Sequence, residues 1–155
     1  MAANLPAALR LQCDEVAVAC ACAALRKAAR ALTQEYDAAI RATGLRATQL
    51  TLLVAVVSAE GQPMTIVGRG LGMDRTTLTR NLRPLERAGL VRVDASPEDG
   101  RRKVLRLTVK GTRTLVAALP RWTRIQTTVV ARLGQRRWAA LKRELALLTG
   151  ETLGG

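Results

Sequence analysis

The chain has 155 residues, 25 Lys+Arg against 12 Asp+Glu, a formal net charge of +13, and neither histidine nor phenylalanine. That length suits one domain or a small domain with extra pairing helices, and 48 % hydrophobic residues supply a core. Without imidazole, Ser-His-Asp chemistry, Cys-His proteases, His-ligated haem and most zinc sites are excluded, while the basic excess asks for a polyanion, nucleic acid first.

In chain order, Leu11, Val18, Leu25 and Leu32 fall seven apart, as do Glu15, Cys22, Ala29 and Tyr36. The two rows make one apolar seam and predict a single long helix from residue 8 to about 42, ended by Gly44. A helix of that length pairs with another chain or wraps a second domain. Its run 16–25 resembles a short signal core, yet Asp14 and Glu15 stand where a basic segment belongs. No stretch reaches the ~18 apolar residues of a membrane span. The expectation is a cytoplasmic protein with no membrane partner. Its three cysteines, Cys13, Cys20 and Cys22, crowd into this one helix and form no disulfide framework.

A buried second helix follows over 48–59, broken by Glu60-Gly61. Pro63 opens a short third helix with Val67 and Leu71 facing inward, which Gly68 and Gly70 weaken by ~1 kcal/mol each relative to alanine. Gly72-Met73 is a tight turn, and Asp74 is a good N-cap for a helix from Arg75 to about Ala88. Leu78, Leu82 and Leu85 form its buried face, Pro84 should kink it or thin its hydrogen bonding, and Gly89 closes it. Residues 90–93 and 104–109 alternate as two strands around a charged, turn-rich tip at 96–102. Two basic amphipathic helices then fill 111–132 and 135–149. The fold class is mainly α with a small β-hairpin wing.

A short helix, a tight turn, a second helix and a basic hairpin make a winged helix-turn-helix. Its second helix would offer Arg75, Thr76, Thr77, Thr79, Arg80, Asn81 and Arg83 to a major groove, where Arg and Asn fork onto guanine and adenine. Arg101, Arg102 and Lys103 on the wing suit the narrow, electronegative minor groove, with Asp99 placed to hold the Arg101 guanidinium. The acids are scattered, there is no phosphate loop, and neither enzyme activity, cofactor nor metal site is expected.

The stretch 73–115 resembles the MarR-type regulators. It carries their D-x-x-T-x-T-R helix (Asp74, Thr77, Thr79, Arg80), L-E-x-x-G-L-V turn (Leu85-Glu86, Gly89-Leu90-Val91), D-x-R wing (Asp99, Arg101) and L-T-x-x-G helix start (Leu107-Thr108, Gly111). A G-L-x-x-T-Q segment at 44–49 fits as well, and the likeness spans roughly residues 20–149. It implies a homodimer, with helices of 1–43 and 111–155 forming a dimerisation region and 44–110 a DNA-binding lobe. Two lobes would bind a pseudo-palindromic double-stranded operator, probed at half-sites ~34 Å apart. Trp122 and Trp138 then suit packing near the dimer helices.

The first helix is closest to the organic-peroxide-sensing, OhrR-like branch of that family, with Cys22 in a C-x-A-L run and Tyr36 fourteen residues on. Fourteen helical residues span about 21 Å, so Tyr36 would have to reach Cys22 of a partner chain. Two of the branch's phenols are missing here, at Arg26 and Ala47. Three uses of the cysteines stay open: a redox sensor at Cys22 with Tyr36, Cys20 and Cys13 in support, inert packing in an alanine-rich seam, or a thiolate site for a soft metal or metalloid. The effector is a small molecule or an oxidant. A sequence-indifferent DNA-coating protein is the other reading of the charge.

Overall fold

The computed structural model describes residues 5–150. Its elements are α1 (Ala7–Ala19), α2 (Ala21–Ile40), a 3-10 turn (Arg41–Thr43), α3 (Ala47–Ser58), α4 (Met64–Gly70), α5 (Arg75–Arg87), β1 (Val91–Ala95), β2 (Lys103–Leu107), α6 (Val109–Leu133) and α7 (Gln135–Thr149). The boundary between two compact units falls after Glu35.

The first unit corrects the expectation of one unbroken helix. Cys20 takes an extended backbone (φ −69°, ψ 104°) between α1 and α2. Its N–H closes α1 on the Val16 carbonyl at 3.0 Å, and its own carbonyl opens α2 by accepting from Ala24 at 3.1 Å. No glycine or proline marks this break, and a run of alanines and cysteines gives no sequence signal for it. No described residue of α1 is buried. The break also interrupts the heptad row between Val18 and Leu25, and the row's first members are exposed, Val18 by 90 % and Leu11 by 63 %.

The second unit holds the core. Leu50, Leu52, Leu53 and Val56 make α3 apolar nearly all round, the pattern of a helix buried on most faces. Around it pack Leu78, Leu82 and Leu85 of α5, at 1 %, 2 % and 0 % exposure, with Val67 of α4, Leu105 of β2 and Leu115 of α6. The three leucines are the ones that helical spacing selects. β1 and β2 pair antiparallel, with Val91 opposite Leu107 and Ala95 opposite Lys103, and Pro63 bridges Val104 at the outer edge.

Two boundaries move. The second strand, expected to reach Val109, ends at Leu107 because the Thr108 hydroxyl turns to cap α6, accepting from the Gly111 N–H at 2.9 Å. A hydroxyl in that position satisfies one of the unpaired donors of the first helical turn. Helix α5 runs through Pro84 to Arg87, although that proline has no N–H for the Arg80 carbonyl. The turn between α4 and α5 is as expected: Gly72 adopts φ 61°, and Met73 N–H reaches the Gly68 carbonyl at 2.8 Å. Gly68 has a second use. A Cβ there would lie 3.0 Å from the Met73 carbonyl oxygen, so glycine lets α4 sit tightly on the start of α5.

Candidate nucleic-acid interface

The two halves of the interface start from local hydrogen bonding. Asp74 caps α5 by accepting from the Thr77 N–H at 2.7 Å. That backbone bond, then the Thr77 hydroxyl, holds the Asp74 carboxyl below the usual aspartate range. Leu78, Leu82 and Leu85 turn one face of the helix to the core; Thr76, Arg80 and Arg83 lie on the opposite face, Arg75 stands in line with the leucine row at the first turn, and all four are exposed. Thr77, Thr79 and Asn81 are half-buried. The Thr79 hydroxyl donates to the Arg75 carbonyl at 2.8 Å, and the Asn81 amide to the Met73 sulfur at 3.5 Å. Four of the seven residues singled out on α5 are therefore fully presented, and three are partly engaged within the protein.

The wing differs from expectation in one pairing. Asp99 Oδ2 meets Arg102 Nε at 3.1 Å, while its other oxygen accepts the backbone N–H of Arg101, also at 3.1 Å. The carboxylate therefore fixes the turn and the Arg102 guanidinium, leaving the Arg101 guanidinium outward. Ser96, a residue that the sequence pattern did not single out, is 8 % exposed and closes the tip. Its N–H donates to the Arg102 carbonyl at 2.8 Å and its hydroxyl accepts from Glu98 at 3.3 Å. Lower on the hairpin, Asp94 lies between Arg92 (3.3 Å) and Arg106 (3.6 Å), and Glu60 sits 3.7 Å from Arg106. Charge cancels at the base and is left over at the tip.

These pieces converge. A cleft of about 350 Å³ is lined by Pro63, Met64 and Thr65 at the start of α4, Arg75 at the start of α5, and Arg101, Arg102 and Lys103 of the wing. The first turn of α5 and the wing thus face one space, as a single continuous polyanion would require. Thr65 joins the set only through the fold, since a lone threonine in a short glycine-rich helix carries no sequence signal.

The cysteines belong to the first unit. Cys13 and Cys22 are exposed and Cys20 is half-buried. The Ala23 N–H points at Cys20 Sγ at 3.4 Å, so Cys20 rather than Cys22 occupies the position ahead of α2. The Tyr36 hydroxyl donates to Gln126 Oε1 of α6. Among the described residues no three Cys, Asp or Glu side chains gather as a metal site. A second, apolar cleft of about 330 Å³ lies between α3, β2 and α6, lined by Val57, Leu107, Leu115 and Leu119 with Glu60 and Arg106 at its polar edge. Trp122 is 38 % exposed, and Lys142 Nζ lies 5.8 Å from the Trp138 ring centroid. No single described helix is long and apolar enough to cross a membrane.

Comparison with known proteins gives this geometry a context. Residues 43–102 match the model of the MarR family. The chain is 41 % identical to the M. tuberculosis transcriptional regulator MosR, solved in complex with DNA, over 84 % of this chain and 94 % of that one, with a TM-score of 0.76. PcaV of Streptomyces coelicolor, a transcriptional regulator solved with its natural ligand, is 31 % identical over 76 % of this chain and 88 % of its own, at TM-score 0.63. The repressor CouR of Rhodococcus jostii, bound to a 23-mer DNA duplex, is 27 % identical over 86 % and 94 % at TM-score 0.74. Among curated proteins no match is found by sequence. A helix-turn-helix with a basic wing, together with identity of that extent to a DNA-bound regulator, makes the chain a member of the MarR family of winged-helix, DNA-binding transcriptional regulators.

Proposed function

We propose that the protein is a homodimeric, sequence-specific repressor that binds a pseudo-palindromic operator through α5 and the wing of each lobe. The observation that carries this reading is the shared cleft, which Arg75 and residues 101–103 line together. Arg80 and Arg83, on the face of α5 opposite the leucines, are the base-reading groups, and Arg101 and Lys103 serve the flanking minor groove. The helices of 1–43 and 111–155 pair the two copies. Supporting that role, Leu11 and Val18 of α1, and Leu147 and Leu148 of α7, are exposed apolar groups with no cover in the single chain.

Release from DNA is assigned to the N-terminal helix, as in the organic-peroxide-sensing branch. A Cys22 thiolate attacks the peroxide oxygen, the O–O bond breaks, the sulfur becomes a sulfenic acid and the alcohol leaves. A partner-chain cysteine then condenses with it to a disulfide and water. Tyr36 of that partner could assist only by giving up its bond to Gln126. A second reading, release by a small phenolic or acidic ligand, is favoured by the cleft between α3, β2 and α6.

Operator binding at fixed salt, before and after cumene hydroperoxide, tests both parts. Arg80→Ala should cost ~1–3 kcal/mol and relax base preference. Equal affinity for random and selected duplexes would replace the repressor with a sequence-indifferent DNA coater. Peroxide should release wild type and spare Cys22→Ser. If it spares both, the cysteines are packing residues; if only Cys20→Ser resists, the sensing thiol is the one ahead of α2.

A further inference from the structure

The end of α5 and the start of α6 are tied by several hydrogen bonds. Three consecutive carbonyls just past α5 accept hydrogen bonds from residues 108 and 110. Lys110 Nζ donates to the Ala88 carbonyl at 2.8 Å, the Thr108 hydroxyl to Gly89 at 2.6 Å, and the Thr108 N–H to Leu90 at 3.1 Å. The same Thr108 hydroxyl accepts from Gly111 at 2.9 Å, so one side chain caps α6 and holds the residue that follows α5. Gly111 seats against Leu90 so closely that a Cβ would overlap the Leu90 carbonyl, its carbon included at 2.9 Å. The corner being gripped is itself rigid: Gly89 and Leu90 turn back on Glu86 and Leu85, both at 2.9 Å.

We infer that Thr108, Lys110 and Gly111 form a clasp that sets the angle of the recognition helix against α6, making them positioning residues for the choice of operator half-site spacing. The leucine face of α5 holds the helix in the core, but apolar packing is non-directional and tolerates small rotations and slides. Hydrogen bonds to three successive carbonyls are directional and remove that freedom. Helix α6 has 25 residues, about 37 Å of rod that runs unbroken through Pro120, and it belongs to the region assigned to dimerisation. A lobe clasped at one end of that rod can follow only where α6 goes, and the distance between two such lobes becomes a property of the dimer. The inference rests on the two-lobed dimer reading.

The test compares an operator selected from a random duplex pool with versions whose half-sites are one base pair further apart, and with a single half-site. Wild type should prefer the selected spacing by about tenfold or more. Lys110→Met, which keeps the stem and removes the ammonium, should lower that preference about threefold, and Thr108→Val should bring it close to one. Single half-site affinity should stay within about twofold, since the bases are still contacted. Thr108→Ser, which keeps the hydroxyl, should restore the preference. A wild-type preference that both Lys110→Met and Thr108→Val retain overturns the clasp; should Thr108→Val fail to fold, the exposed Lys110→Met decides alone. A wild type indifferent to spacing overturns the two-lobed reading, and the clasp with it.

Discussion

The lobe built on α3–α5 and the hairpin closes its core from a single chain, whereas α1 closes nothing. In the first, leucines at helical spacing meet one another and disappear from solvent. In the second, an equally regular row, Leu11 and Val18 among it, remains outside. The same sequence signal, an apolar stripe, therefore has two outcomes, and the difference is whether this chain contains the surface that answers it. In the proposed dimer, the second copy would supply the surface that covers such a stripe.

The largest effect that sharpens this contrast is expected at Gly111. Gly111→Ala should destabilise the lobe by about 3 kcal/mol or more, read from urea unfolding, because the methyl meets backbone rather than a yielding side chain. A loss below ~1 kcal/mol would mean that the two backbones part easily. Next comes Val18→Lys. It should leave the lobe's own unfolding untouched and weaken dimerisation by ~2–4 kcal/mol, seen as a shift toward monomer in sedimentation velocity. An unchanged dimer would remove α1 from the interface.

The smallest effect concerns pH. Hydrogen bonding lowers the Asp74 carboxyl in the folded state, so its cap contributes in full above the ordinary aspartate range and is lost as pH falls through the lowered value. The melting difference between wild type and Asp74→Ala should be largest near about pH 6 and shrink toward about pH 2.5. A difference that holds constant to acid would mean that the carboxylate is not the capping group.

Much of the lobe was legible from residues alone because its signals are local. Asp74 as a cap, Gly72 in a tight turn and three leucines on one face each act within a few positions. What stayed hidden depends on distant partners or on backbone choices that composition does not encode. The break at Cys20 has no helix-breaking residue. Thr65 reaches the cleft only when α4 is placed beside the wing, and Asp99 could pair with either of two adjacent arginines until the tip had its turn. The glycine of the L-T-x-x-G start could be recognised as part of a pattern, but its reason, the Leu90 carbonyl, lies twenty-one positions earlier in the chain.

The Asp99–Arg102 pair has a consequence for how DNA affinity responds to salt. Binding releases counterions from DNA in proportion to the cations that newly neutralise phosphates, with a log–log slope near −0.9 per phosphate. A guanidinium already compensated by its own chain adds less to that release than a bare one. Each wing should therefore displace about two counterions through Arg101 and Lys103, although three cations stand at its tip. Asp99→Ala would steepen the slope by somewhat less than one unit per lobe while loosening the turn that aims it. The carboxylate thus gives up some electrostatic pull for a wing that arrives already shaped.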